Sequence, residues 1–145
     1  HRSVEIKAEV VAQDEREAGK RAILNFGHTI GHAIEATSKY EVLHGEAVAI
    51  GMVYETRLAE SLGIAAPGTT ERVATALERL HLPLERPDGS RVDDLIEAMR
   101  ADKKVRAGKI RLALPSKIGL VHGDETAGWT VAVDEASLRQ VLVNR

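Results

Sequence analysis

The fold of this chain is decided by the stretch Arg21-Ala-Ile-Leu-Asn25-Phe-Gly27-His28-Thr-Ile-Gly31-His32. Its apolar residues recur at helical spacing, so we predict a helix from Arg21 to Ser38. On one continuous helix the polar residues at i, i+4, i+7 and i+11 would share a single face. These four are Arg21, Asn25, His28 and His32. Gly27 and Gly31 each weaken a helix by roughly 1 kcal/mol relative to alanine, which indicates close approach by neighbouring backbone. The stretch therefore predicts a packed helix with a polar binding face.

Working outward, the sequence predicts a mainly α, multi-helix domain with one or two short β segments. A second long helix is expected from His44 to Leu62, apolar on most sides and closed by Gly63, so we expect it at the centre of the bundle. Upstream, residues 3–11 fit a helix or a strand equally well. The remaining predicted elements are a turn at Ala66–Gly68, a helix capped by Thr69 and ending at Leu80, a helix from Val92 to Lys103, β segments at Ile110–Leu114 and Val131–Val133, and a last helix from Glu135 to Val143.

Composition limits the classes of function. The 145 residues include 20 basic and 22 acidic side chains, a net charge of −2 that gives no reason to expect nucleic acid or an anionic membrane as a partner. There are no cysteines, so a metal would need His, Asp or Glu ligands. No apolar run approaches the roughly 18 residues that span a bilayer, and no signal peptide is visible, so we expect a cytoplasmic protein. The chain begins at His1, and we expect it to be a piece of a longer protein.

Histidines near the ends of the two predicted long helices form a candidate metal site. His28 and His32 are four residues apart, and His44-Gly45-Glu46 opens the next helix after a short connector. A helical hairpin can bring these residues together, and two imidazoles with one carboxylate suit catalytic zinc. The spacing is not the His-Glu-x-x-His of zinc proteases. Spacing alone leaves metal binding open, because a helical histidine is more often a surface or core residue than a ligand.

Longer patterns around these residues resemble one family. They are Lys7-Ala-x-Val-Val-x-x-Asp14-Glu15-x-Glu17-x-Gly19-x-Arg21-x-x-Leu-Asn25-Phe-Gly-His28-Thr-x-Gly-His32-Ala-x-Glu35, then His44-Gly-Glu46-Ala-Val-x-x-Gly51-Met52, and later Asp102-Lys103-Lys104 and Gly108-Lys-Ile-Arg-x-x-Leu-Pro-x-x-Ile118-Gly119. Together they resemble the 3-dehydroquinate synthases, of the sugar-phosphate cyclase family. Any one fragment would be a weak signal, but the joint pattern is specific and covers nearly the whole chain.

The resemblance implies a fold and a reaction. Residues 1–145 would form the helical C-terminal domain that binds metal and substrate, without the N-terminal NAD-binding domain. The implied reaction converts 3-deoxy-D-arabino-heptulosonate 7-phosphate to 3-dehydroquinate plus phosphate, a carbon–oxygen lyase step of the shikimate pathway and aromatic amino acid biosynthesis. The implied cofactors are Zn²⁺ (or Co²⁺) and NAD⁺, and the family is usually dimeric, so a homodimer is expected. The chain has no Gly-rich phosphate-binding loop after a strand, so we expect it to be inactive alone and name no NAD-binding residue.

The resemblance also implies roles for single residues. His28 and His44 fall on the two zinc-binding histidines, and the third ligand, a glutamate, would lie well before this chain. Arg21, Asn25 and His32 fall on positions that hold the substrate's phosphate or nearby oxygens. The implied substrate lysines are Lys7 and one of Lys103 or Lys104, with Glu17 at the site edge. Of these residues, the implied catalytic ones are Lys7, Arg21 and His32.

Other interpretations stay open. Another sugar-phosphate cyclase would share the zinc site and the NAD chemistry. A non-catalytic helical binding module would have no need of zinc at His28 and His44. A metal-dependent alcohol dehydrogenase of related fold would have no phosphate site. Arg21, Asn25 and the lysines argue against it. Taken singly, Arg21 and the lysines would be solvated charges, and Glu46 a favourable acid in the first turn of a helix.

Overall fold

The computed structural model describes residues 2–14, 19–39, 41–101, 105–106 and 109–144. Within them lie six α-helices, one 3-10 helix and five short strands. In chain order these are α1 Arg2–Gln13, the 3-10 helix Lys20–Asn25, α2 His28–Thr37, α3 His44–Ser61, α4 Thr69–Glu78, α5 Val92–Ala101, β1 Val105–Arg106, β2 Lys109–Leu112, β3 Pro115–Lys117, β4 Leu120–Val121, β5 Val131–Val133 and α6 Glu135–Val143.

Most predicted elements are confirmed. The long helix at His44, the last helix and both predicted β segments are present, and the ambiguous N-terminal segment is helical. The predicted cap of α4 was wrong. Thr69 is the first residue of α4 and not its cap, because Gly68 occupies the N-cap position in the left-handed conformation, with φ 86°. The structure also contains the hairpin β3–β4, which was not among the expected β segments.

The strands form two small antiparallel sheets at one side of the helices. One sheet has the order β1-β2-β5, with Ile110 opposite Val133 and Leu112 opposite Val131. The other is the hairpin β3–β4, in which Pro115 pairs with Val121. In β2 the buried side chains alternate with more exposed ones, so its apolar face closes the core.

Helix α3 is the centre of the domain, as predicted from its apolar character. It packs against α2, α4, α6 and β3. Its buried residues lie on most of its faces, so water reaches little of this helix beyond its two ends. The largest fully buried side chains of the core are Tyr54, Ile30, Ile34, Ile50, Leu58, Leu95, Ile96, Met99, Leu112, Leu114, Leu138 and Leu142.

The predicted continuous helix from Arg21 to Ser38 was wrong. The chain forms the 3-10 helix, breaks at Gly27 and restarts as α2 at His28. Gly27 has a φ of 81°, a left-handed conformation that glycine adopts without steric cost and that ends a right-handed helix. The periodicity of the apolar residues continues across the break, which is why the pattern alone did not reveal it.

The prediction that the glycines mark close backbone contact is confirmed. The neighbouring element is α3, which crosses α2 at Gly51. A Cβ atom on Gly51 would lie 2.0 Å from the carbonyl oxygen of Gly27, and one on Gly31 would lie 3.0 Å from the Cα atom of Val48. Only glycine allows the two helices to approach this closely, so the glycines fix how α2 sits on α3.

Among the described helices, none combines the length and the apolar character needed to cross a lipid bilayer.

Candidate metal and substrate site

The break at Gly27 changes how the four predicted polar residues are placed. His28 and His32 share a face of α2, four residues apart, whereas Arg21 and Asn25 lie on the 3-10 helix before the break. In a 3-10 helix with three residues per turn, a spacing of four residues rotates a side chain by about 120°. The single stripe expected on one helix is therefore wrong, and two separate elements present these residues.

The start of α2 is held by a buried carboxylate from α3. Glu55 is fully buried, and its Oε2 accepts a hydrogen bond of 2.6 Å from the backbone N–H of Gly27. Its Oε1 accepts a second, of 3.3 Å, from the N–H of Ile30. The first N–H groups of a helix have no partner within the helix, and a negative charge is favourable there. Glycine at the N-cap has no side chain to fill this role, so Glu55 acts as a cap from 28 residues away.

Three histidine rings meet beside this helix start. The ring centres of His28 and His32 are 5.5 Å apart, those of His28 and His44 are 5.6 Å apart, and those of His32 and His44 are 5.7 Å apart. Two imidazoles that share one tetrahedral zinc have ring centres roughly 5 Å apart, given Zn–N bonds of about 2 Å. The helical hairpin thus brings together the histidines that the sequence pattern singled out, at distances that suit a shared metal.

The rings of His28 and His44 each have a partner at Nδ1. The Nδ1 of His28 lies 3.1 Å from the carbonyl oxygen of Phe26, and the Nδ1 of His44 lies 3.0 Å from Oε2 of Glu35. A carbonyl or an ionised carboxylate only accepts, so these contacts place the ring proton on Nδ1. Histidines that bind metals commonly make such a contact through one nitrogen and bind the metal through the other. The donor chemistry of His28 and His44 therefore fits a zinc ion.

Within the described residues, one group of side chains offers metal-ligand atoms that all lie within 4.8 Å of one another: His32, Glu35 and His44. This group differs from the predicted pair, since it contains His32 and Glu35 and omits His28. The ring distances do not separate the three histidines. Because Glu35 already contacts Nδ1 of His44, we take it as the partner of a ligand and keep His28 and His44 as the candidate ligands.

Two of the predicted substrate residues, Arg21 and Asn25, lie on the 3-10 helix that precedes α2. Asp14, at the end of α1, accepts hydrogen bonds from the backbone N–H groups of Gly19 (2.8 Å) and Arg21 (2.9 Å), which fixes the start of the 3-10 helix. Arg21 and Asn25 on this helix are half-buried. Lys7 is an exposed residue of α1, the helix that packs against the 3-10 helix. Three further predicted residues, Glu17, Lys103 and Lys104, lie outside the described residues.

A cavity of about 600 Å³, lined mostly by apolar side chains, opens beside the 3-10 helix. It lies between the 3-10 helix, α4 and the β3–β4 hairpin, and its walls include Phe26, Met52 and Trp129. Among the predicted site residues that the structure describes, none lines this cavity. Phe26 and Met52 border both the cavity and the start of α2, so the cavity adjoins the histidine cluster without containing it.

Sequence reasoning missed the two carboxylates that support the histidines. Glu35 was part of the family pattern but received no role, and Glu55 was not singled out. A signal existed for Glu55: it is an acidic residue on a helix that is otherwise apolar on most sides, and such a carboxylate has to find donors. Its partners lie on another helix, so the pattern of its own helix does not reveal them.

Comparison with curated proteins gives relatives over almost the whole chain. It is 49% identical over 142 residues to a protein of Nostoc punctiforme named 3-dehydroquinate synthase, and 53% identical over 142 residues to one of the same name from Caldanaerobacter subterraneus subsp. tengcongensis. Each alignment covers 97% of this chain and 38% of the relative. The chain thus spans well under half the length of the curated relatives it matches.

Solved structures share the fold. A 2-deoxy-scyllo-inosose synthase, complexed with carbaglucose-6-phosphate, NAD⁺ and Co²⁺, superimposes with a TM-score of 0.86 at 24% identity, over 96% of this chain and 39% of that one. A 2-epi-5-epi-valiolone synthase from Streptomyces hygroscopicus subsp. jinggangensis, with NAD⁺ and Zn²⁺ bound, gives a TM-score of 0.77 at 26% identity, over 98% of this chain and 38% of that one.

The fold and the site define a mainly helical domain that carries a histidine cluster on a helical hairpin and shares its fold with sugar-phosphate cyclases. The profile of the family described as "3-dehydroquinate synthase C-terminal" matches residues 1–105. This chain belongs to that family.

Proposed function

We propose that this chain is the C-terminal domain of a 3-dehydroquinate synthase, which converts 3-deoxy-D-arabino-heptulosonate 7-phosphate to 3-dehydroquinate and phosphate. The observation that carries the proposal is the histidine cluster at the start of α2 and α3, within a chain whose curated relatives bear this name. The rest of the enzyme, including an N-terminal NAD-binding domain, would precede residue 1. A homodimer remains a prediction from the resemblance, and a cytoplasmic location remains a prediction from the sequence.

In this proposal His28 and His44 hold the metal, together with a ligand from the preceding part of the protein. Their contacts to Phe26 and Glu35 keep the proton on Nδ1, so Nε2 is the nitrogen that carries the lone pair. When bound, zinc would polarise a substrate oxygen as a Lewis acid, and NAD⁺ would supply a transient oxidation.

The remaining predicted residues bind and orient the substrate. Arg21 presents a planar guanidinium, which can hold a phosphate through two parallel hydrogen bonds. Asn25 and His32 would offer further donors to the substrate, and Lys7 and one of Lys103 or Lys104 would complete the anion site. These groups fix the phosphate ester relative to the metal, and such positioning accounts for much of catalysis in a reaction that eliminates phosphate.

A second candidate is another sugar-phosphate cyclase, favoured by the solved structures of similar fold. Their identity to this chain is 24–26%, whereas the curated relatives named 3-dehydroquinate synthase are 49–53% identical. We therefore give the dehydroquinate reaction precedence.

The test is phosphate release from 3-deoxy-D-arabino-heptulosonate 7-phosphate by the full-length protein with NAD⁺ and zinc, compared with its His28→Ala variant. We expect release by the wild type and its loss in the variant. A folded, zinc-loaded protein that releases no phosphate would favour another cyclase. A protein that binds no zinc would favour a non-catalytic binding module. The 145-residue chain alone is expected to release none.

A further inference from the structure

The carboxylate of Glu35 joins the end of α2 to the start of α3. Its Oε2 lies 3.0 Å from Nδ1 of His44, the first residue of α3. The side chain of Glu35 is 18% exposed, whereas that of His44 is 56% exposed. The ring of His44 thus has water on one side, and a well-placed carboxylate fixes it on the other.

An imidazole held in this way has a defined tautomer. Because an ionised carboxylate accepts and does not donate, the proton of His44 resides on Nδ1 and the lone pair on Nε2. Without this partner, an exposed ring would exchange between tautomers and rotate about its side-chain bonds. A metal would then bind only the fraction of molecules in which the ring is correctly protonated and oriented.

We propose that Glu35 is a positioning residue for the metal site and acts through His44. This inference rests on the proposed function, because it assigns His44 as a metal ligand. Glu35 keeps Nδ1 protonated, fixes the ring plane and makes Nε2 a stronger donor through its negative charge. Partners of this kind typically contribute 10–100-fold to metal affinity.

The matched control is Glu46, which supports the same helix start. Among the hydrogen bonds of the described residues, none joins Glu46 to the ring of His44. Its Oε2 accepts a hydrogen bond of 3.1 Å from the backbone N–H of Leu43. A variant at Glu46 therefore reports the effect of loosening the first turn of α3. A variant at Glu35 reports the effect of releasing the ring.

The experiment measures the zinc affinity of the full-length protein by competition with a chelator, for the wild type, Glu35→Ala, Glu35→Gln and Glu46→Ala. We expect Glu35→Ala to bind zinc about 10–100-fold more weakly. Glu35→Gln should lose less zinc affinity than Glu35→Ala, because its amide oxygen still accepts from Nδ1. It should lose some affinity, because the amide carries no charge. Glu46→Ala should bind zinc as the wild type does.

Two spectroscopic readouts separate positioning from direct ligation. In metal-free protein, ¹⁵N NMR of the ring nitrogens should show His44 as the Nδ1–H tautomer in the wild type and as a mixture in Glu35→Ala. In protein loaded with Co²⁺, the absorption spectrum should keep its shape in Glu35→Gln, because no ligand is lost. A changed cobalt spectrum would mean that Glu35 is itself a ligand and would overturn the positioning role.

The inference also fails if Glu35→Ala binds zinc as tightly as the wild type, or if Glu46→Ala loses as much affinity. A wild-type protein that binds no zinc would overturn the proposed function and the positioning role together. A wild type that binds zinc, alongside an unaffected Glu35→Ala variant, would overturn the positioning role alone.

Discussion

The starts of α2 and α3 each present one candidate metal ligand, but the structure holds them in different ways. His28 opens α2 where the backbone is packed against α3 through glycines and capped by the fully buried Glu55. His44 opens α3 at the surface, where Glu46 caps the helix and Glu35 contacts the ring. One ligand position is thus built into the core, while the other lies on a surface ring that is held by the half-buried carboxylate of Glu35.

This difference separates the contacts that fold the site from the contacts that adjust its metal binding. Changes at the start of α2 alter the packing of two central helices, so they should affect folding and the site together. Changes that release the ring of His44 at the start of α3 leave the core intact, so they should affect the site with little change in stability. The following substitutions test that contrast in order of decreasing effect.

The largest effect is expected from Gly51→Ala. Its new Cβ atom would lie 2.0 Å from the carbonyl oxygen of Gly27, and backbone cannot move aside without separating α2 from α3. Overpacking costs typically 1–3 kcal/mol, and we expect a loss at the upper end or beyond. Denaturant-induced unfolding of the purified protein measures it. Gly45→Ala on the same helix is the control, since nothing lies within 4 Å of its Cβ position. Equal stability of the two variants would contradict the close helix contact.

Glu55→Ala should come next. It removes the acceptor of the N–H groups of Gly27 and Ile30, and each buried donor left without a partner costs about 1–3 kcal/mol. Glu55→Gln should lose less stability, because the amide retains one oxygen acceptor. Unfolding free energies of both variants check this order. If Glu55→Ala were as stable as the wild type, α2 would not depend on this cap.

Glu46→Ala should lose less stability than Gly51→Ala or Glu55→Ala. The N–H of Leu43 is near the surface, where water replaces the lost carboxylate, so we expect a loss of a few tenths to about 1 kcal/mol. The same unfolding measurement applies. A loss as large as that of Glu55→Ala would remove the contrast between the two helix starts.

The smallest effect on stability is expected at the start of α6. This helix is capped by the residue that directly precedes it, far along the chain from the histidines. Asp134 accepts a hydrogen bond of 2.8 Å from the backbone N–H of Ser137, and this bond lowers the pKa of the Asp134 carboxyl below its usual 3.8. Because the pKa is lower in the folded state, the stabilisation is present above the unfolded pKa and is lost as pH falls through the folded one. Asp134→Asn keeps a cap oxygen that does not titrate, so its melting temperature should fall less steeply with acid than that of the wild type. Identical slopes below pH 4 would contradict a stabilising charge at Asp134.

These helix starts also explain how much the sequence could predict. The limits of α6 were correct because its cap and its apolar residues are all local. The contact of Gly27 and Gly31 with a neighbour was predicted because glycines four apart are a recognisable pattern. The break at Gly27 and the cap by Glu55 were not predicted, since both depend on α3, whose position on α2 does not follow from local periodicity. The gathering of His28, His32 and His44 was predicted from the hairpin and from the family pattern.

The most direct test of the account is the metal content of the purified full-length protein after incubation with zinc and removal of excess. We predict one zinc per chain in the wild type, its loss in both His28→Ala and His44→Ala, and its retention in His122→Ala, a histidine outside the cluster. Zinc retained by both cluster variants, or a folded wild type without zinc, would contradict the assignment of this hairpin as a metal site.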